Sequence, residues 1–295
     1  MYLFSDNYFK LCTIGIFPIE YYNKYIKQFS DKDEDKLIFV SNIVNNDLIK
    51  KKLEKIKNLI FITKVEYLDF FYNNIIPLIN KKFVLLTHFG GLQAGKHNKI
   101  LNHPLLLKWY GPNMSIINNK VTALPLGLEG IFWGRVNTEL IEKYKTNEKN
   151  NLLYLNFSLN THPNRKNIMK LLLNKGFKKN ETEHWSKFIE SLSHYKFCIS
   201  PRGSGIDCHR TWECLYLGVI PIVEKNTEIE VFNDLPILFV ENYDIISEEY
   251  LEKKYKEINI KNFNLEKKYK EINIKNFNLE KITLEYWENN INRSF

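Results

Sequence analysis

Short apolar runs rich in branched and aromatic residues alternate along this chain with Lys-, Glu- and Leu-rich stretches of helical spacing. In the first third the strand-like runs are Leu37–Val40, Leu59–Thr63 and Phe83–Thr87, and the helical stretches between them are Asn46–Lys57 and Glu66–Ile79. Leu11–Ile19 is apolar but short, contains Pro18, and reads as a buried strand or turn, not as a secretion signal. Strands that alternate with helices pair in parallel and are covered on both faces, which predicts an α/β fold. Around Val136–Asn151 the apolar pattern gives way to a polar, charged run. The boundary is expected there, with one domain over residues 1–145 and a second over 146–295.

Alternation restarts beyond that run. Leu152–Asn156 reads as a strand, and Asn164–Asn174 as a helix ending near Gly176. A helix over His184–Tyr195 runs into a strand, Phe197–Ser200, and the loop Pro201–Ile206 leads to a helix from Asp207 to Leu217. Gly218 is placed to stop that helix, as glycine does just past a C-terminus. Strands Ile220–Val223 and Ile237–Val240 follow, then a helix from about Ile245. The segment 251–264, LEKKYKEINIKNFN, is repeated without change at 265–278. Two copies are too few for a solenoid. Leu251, Ile258, Leu265, Ile272 and Leu279 fall at heptad spacing, so the duplication reads as a lengthened surface helix or helix pair.

The densest chemistry lies in Ser200–Glu213. A strand ends at Ser200, a loop holding Gly203 and Gly205 lets backbone approach a ligand, and a helix begins near Asp207. Free N–H groups and the positive end of a helix facing such a loop suit an anion, most naturally phosphate. The chain has a formal charge of +8 from 42 Lys and Arg against 34 Asp and Glu, but only five of those cations are Arg: Arg135, Arg165, Arg202, Arg210 and Arg293. The Lys excess follows the overall Lys/Asn/Ile bias of the chain, whereas Arg202 and Arg210 stand at this one spot and can fork onto phosphate oxygens. Ser200, Ser204 and the amides around Gly203 add donors. Glu213 shares a helix face with Arg210 and is placed to accept hydrogen bonds from ribose hydroxyls. Asp207 reads as a helix cap. A P-loop is unsupported, because no G-x-x-x-x-G-K-[ST] run occurs.

Phe197–Val223 resembles the C-terminal signature of exostosin-like glycosyltransferases, including short forms in large DNA viruses and microbes. Arg210, Glu213, Gly218 and Pro221 match it in order and spacing. The run Leu152–Ser158, with Asn156, continuing to Arg165, is similar to the opening of the same domain, as are His88, Trp109–Asn113 and Leu124–Glu129. The resemblance implies a GT-B fold, two Rossmann-like domains facing across a cleft with the donor nucleotide on the C-terminal one. It implies transfer from a nucleotide sugar, a UDP-sugar above others, to a glycan or other hydroxyl acceptor, with inversion and with no metal or other cofactor. Arg210, with Arg202 or Arg165, would offset charge on the leaving phosphate, and Asn156 would line the donor site. The general base is expected from the N-terminal domain, from His88 or Glu129. Animal exostosins are membrane-anchored luminal enzymes. No run in this chain reaches a membrane span, and its four unevenly spaced cysteines fit a reducing, cytoplasmic setting.

Asp31, Asp33 and Asp35 form D-x-D patterns of the kind that hold Mn²⁺ or Mg²⁺, but they stand in a charged run typical of a solvated loop. Cys208, His209 and Cys214 lack zinc spacing. The rival functional readings are a retaining GT-B transferase, a nucleic-acid-binding protein drawing on the positive charge, and a non-catalytic scaffold that docks through the repeat. No RRM-like or helix-turn-helix motif supports nucleic acid as a partner.

Overall fold

Two parallel sheets organise the chain. The structure, a computed structural model, describes residues 2–4, 7–26, 37–40, 46–88, 97–114, 118–130, 136–226, 229–258 and 277–295. Asp31, Asp33 and Asp35, the pair Gly90-Gly91, Arg135, and the second repeat apart from its last two residues lie outside them.

The first sheet has six strands: β1 (Ile14–Phe17), β2 (Leu37–Val40), β3 (Leu59–Thr63), β4 (Phe83–Thr87), β5 (Leu106–Gly111) and β6 (Val121–Ala123). They are ordered β2-β1-β3-β4-β5-β6, and every pairing is parallel. Apolar runs such as Leu-Ile-Phe-Ile in β3 and Phe-Val-Leu-Leu in β4 are buried throughout, as a sheet covered on both faces requires. Helix α1 (Asn46–Lys55) contributes Ile49 and Leu53 to this core. The expected helix Glu66–Ile79 is a run of short helical turns of changing pitch over 65–78, with Pro77 in its last turn.

The second sheet has four strands: β7 (Asn151–Tyr154), β8 (Tyr195–Ile199), β9 (Ile220–Glu224) and β10 (Leu238–Val240), ordered β10-β9-β8-β7 and all parallel. Its helices are α2 (Thr138–Tyr144), α3 (Asn164–Asn174), α4 (Trp185–Leu192), α5 (His209–Tyr216) and α6 (Glu248–Ile258). Two of them end on the glycines read from the sequence. After α5, Gly218 adopts φ 67°, and the amides of Gly218 and Val219 donate back to the carbonyls of Leu215 and Cys214. After α3, Gly176 adopts φ 90°, and the amides of Gly176 and Phe177 donate to Leu173 and Leu172. Both are Schellman caps, which satisfy the last carbonyls at a left-handed residue. The first copy of the repeat forms most of α6. Its Leu251 is buried, while Tyr255 and Ile258 pack against the same core.

The chain divides into two compact units, one comprising Leu3–Pro125 and Leu284–Phe295, the other Leu126–Thr283. The division thus falls ahead of the polar run where the sequence places it. That run is the amphipathic helix α2, whose Ile141 is fully buried and which packs on α4, so it belongs to the second unit. The C-terminal helix α7 (Leu284–Asn292) rejoins the first unit, where the Tyr110 hydroxyl meets the Asn290 carbonyl and the Ser294 hydroxyl. Among the described residues no helix is long and apolar enough to cross a membrane.

Candidate nucleotide site

The loops after β7 and β8 leave the carboxyl ends of a parallel sheet, the edge where open α/β folds bind ligands. Arg165, on α3, ties these loops together. Its Nε donates to the Arg202 carbonyl (2.8 Å), Nη1 to Ser158 (2.9 Å) and Nη2 to Pro201 (2.7 Å). Burial lowers its pKa, with partial compensation from Cys208. A guanidinium spent on three carbonyls and only 8% exposed is a clamp for the loop. Its placement differs from the donor-binding role expected for it, because each of its three nitrogens already donates to a backbone carbonyl. Gly203 fits the same clamp, since a Cβ there would lie 3.3 Å from Arg165 Nη2 and 3.4 Å from Thr161 Oγ1.

Ser200 continues the ladder by donating its amide to Ile222, and its buried hydroxyl pairs with Thr211 Oγ1 at 2.9 Å. It therefore pins the strand end to α5 in place of facing a ligand. Ser204 is exposed at the loop tip. Arg202 is partly exposed, and its buried Nε finds no hydrogen-bond partner among the described residues.

Arg210 stands in the first turn of α5. Its Nη1 donates to the carbonyl of Asn156, the guanidinium lies 4.5 Å from the Phe188 ring centroid, and its Nε stands 3.9 Å from Glu213 Oε2. Burial opposes its charged form, but Cys198 and Glu213 outweigh it and raise its pKa, so the guanidinium stays charged. One quarter of the side chain remains exposed, against 8% for Glu213. Arg210 is thus a fixed cation with one face open to a ligand and a buried Nε that lacks a hydrogen-bond partner.

Glu213 is more committed than the sequence suggests. Its Oε1 accepts from Trp185 Nε1 at 2.8 Å. Trp185 begins α4, which also presents Phe188, so this helix forms a wall that sequence reasoning missed. An aromatic pair three residues apart at the start of an amphipathic helix was the available signal. Asn156 spends its side-chain amide on the Glu181 carbonyl (2.6 Å) and its own carbonyl on Arg210. It places the arginine.

Asp207 is not the helix cap. Cys208 holds that position without a side-chain capping bond. Asp207 Oδ2 accepts from the Leu126 amide (2.7 Å) and Oδ1 from Trp212 Nε1 (2.8 Å). The carboxyl reaches outward to the 124–129 segment because Trp212, buried against Phe232, is fixed where its N–H meets Oδ1. Burial outweighs these bonds and raises the Asp207 pKa to about 7. A carboxyl pKa above its ordinary value of 3.8 means the folded state holds a proton that the unfolded state releases between those pH values. Stability from this group is present at low pH and lost as pH rises towards 7. Relative to Asp207→Asn, the wild type is expected to lose on the order of 2 kcal/mol between pH 5 and pH 8. Urea unfolding of both proteins at the two pH values checks this, and a constant difference would contradict it.

Of the expected bases, Glu129 is partly exposed and lies in the second unit, three residues past Leu126, not in the N-terminal domain. His88 follows β4 in the first unit. It is 2% exposed, its amide donates to Thr63, and its ring lies 5.2 Å from that of Tyr8. Arg202, Gly203, Arg210 and Glu213 meet Asn156 and Arg165 around one loop–helix junction of the second unit, and His88 belongs to the other unit. Among the described residues no group of three or more His, Cys, Asp or Glu side chains could hold a metal ion. No protein-family model and no curated protein matches the chain.

Proposed function

We propose that this chain is a glycosyltransferase of GT-B organisation that takes a nucleoside-diphosphate sugar, a UDP-sugar first among them, and transfers the sugar with inversion to a hydroxyl of a glycan or related acceptor. The observation that carries this reading is Arg210: a charged, anchored, quarter-exposed guanidinium at a strand–loop–helix junction, one turn from a buried carboxylate. When an acceptor oxygen bonds to the anomeric carbon, the bond from that carbon to the phosphate oxygen breaks and negative charge gathers on the leaving diphosphate. Arg210 and Arg202 supply fixed positive charge there, and preorganised charge is worth more than charge that must reorient. Glu213, held by Trp185, keeps Oε2 towards the same space for a ribose hydroxyl.

The test is release of nucleoside diphosphate from a panel of sugar nucleotides, with and without oligosaccharide acceptors, followed by the anomeric configuration of the product. Acceptor-stimulated release with an inverted product is the expected result. A retained configuration would replace the inverting reading with the retaining one. No release from any donor, together with tight and steeply salt-dependent binding to RNA or DNA, would replace it with nucleic-acid binding.

A further inference from the structure

We propose that His209 accepts the proton of the incoming hydroxyl, an assignment that rests on the transferase reading above. His209 opens α5, immediately before Arg210, and is partly exposed. Its Nδ1 lies 2.8 Å from the Gly127 carbonyl oxygen. A carbonyl has no proton to give, so Nδ1 carries the hydrogen, and in the unprotonated form of the ring the lone pair is on Nε2.

The carbonyl that fixes this tautomer is itself held. The Leu126 amide donates to Asp207 Oδ2, and Asp207 Oδ1 is fixed by Trp212. Gly127 has φ 72°, a left-handed conformation that side-chain-bearing residues adopt at a cost. Two links therefore join 126–127 to 207–209, and both lie in the second unit. The Gly127 carbonyl plays the orienting part that a carboxylate plays in nucleophile–base–orienter systems. His88 belongs to the first unit, where its ring packs against that of Tyr8.

The step balances without further reagents. The acceptor oxygen bonds to the anomeric carbon while its proton passes to His209 Nε2. The bond to the phosphate oxygen breaks, its electron pair leaves on the diphosphate, and the imidazolium keeps its Nδ1–H on Gly127 until Nε2 returns the proton to water.

Two isosteric variants separate the ring nitrogens. In His209→Asn the side-chain amide reaches the place of Nδ1 and can keep the bond to Gly127, but nothing replaces Nε2. In His209→Gln the amide reaches the place of Nε2 and cannot act as a base. The expected result for both is unchanged stabilisation by nucleoside diphosphate, unchanged KM for the donor, and kcat lowered about 10²–10⁴-fold, with partial recovery in His209→Asn on adding imidazole. Wild-type kcat in a folded His209→Asn would overturn the proposal and leave His209 a staple for the 126–127 segment. Should His209→Asn not fold, wild-type kcat in His209→Gln would overturn it in the same way. Nucleotide binding and turnover by the wild type with no effect of either variant would sink this inference alone, whereas absence of both in the wild type would sink the transferase reading with it.

Discussion

Arg165→Ala is expected to lower the melting temperature by about 10 °C and to abolish nucleotide binding, although Arg165 itself spends all three of its nitrogens on backbone carbonyls. Removing the guanidinium leaves the carbonyls of Ser158, Pro201 and Arg202 without their donor. Each carbonyl left unsatisfied costs about 1–3 kcal/mol, and water entering the loop keeps the sum near the low end, about 3–5 kcal/mol. The binding effect follows from geometry: Arg202, Gly203 and the start of α5 hang on the loop that this clamp shapes. Arg165→Lys keeps the charge but replaces a planar fork by a point donor, so an intermediate loss is expected. Differential scanning fluorimetry on the three proteins measures it. A melting temperature within about 3 °C of wild type for Arg165→Ala would mean that the loop is held by other contacts.

Arg210→Ala is expected to cut turnover about 10²–10³-fold, the size of effect seen when one preorganised donor to a developing charge is removed. Loss of stability is a confounding effect here, because Arg210 fills space over Phe188 and stands beside the buried Glu213. The double variant Arg210→Ala/Glu213→Gln removes the carboxylate charge that would otherwise lose its partner, while Gln can still accept from Trp185 Nε1. Stability is expected to recover in part and turnover to stay low. Recovery of turnover along with stability would show that Arg210 matters for folding and not for the leaving group. Near-normal turnover in Arg210→Ala alone would remove it from the site.

Much of the second unit could be read from its residues, because its signals are local. β8, α5 and β9 follow from an apolar run, a glycine loop, helical spacing and a glycine stop, and Gly218 and Gly176 occupy the left-handed positions that only chemistry near the helix end dictates. Strands β5 and β6 were not legible. β5 carries Lys108 inside an otherwise apolar run, and β6 is three partly buried residues whose strand character comes from pairing with β5. The division at Pro125 and the return of α7 to the first unit depend on contacts between residues far apart in sequence, such as Tyr110 with Asn290 and Ser294, which no local pattern encodes. In the site, residue types were legible and assignments were not. Arg165 and Arg210 look alike in the sequence, and only burial separates the clamp from the open cation. His209 stood next to Arg210 in plain view, but its meaning depends on Gly127, more than eighty residues away in the chain.

Nucleotide binding by the second unit is most directly tested by thermal stabilisation with UDP, GDP, ADP, CMP and dTDP at millimolar concentration, on wild type and Arg210→Ala. A ligand that binds only the folded state raises apparent stability in proportion to the logarithm of its concentration over Kd. The expected result is stabilisation by a nucleoside diphosphate, UDP first, that is lost in Arg210→Ala. Stabilisation of equal size in both proteins would contradict the assignment of Arg210, and no stabilisation by any of the five would contradict the nucleotide site itself.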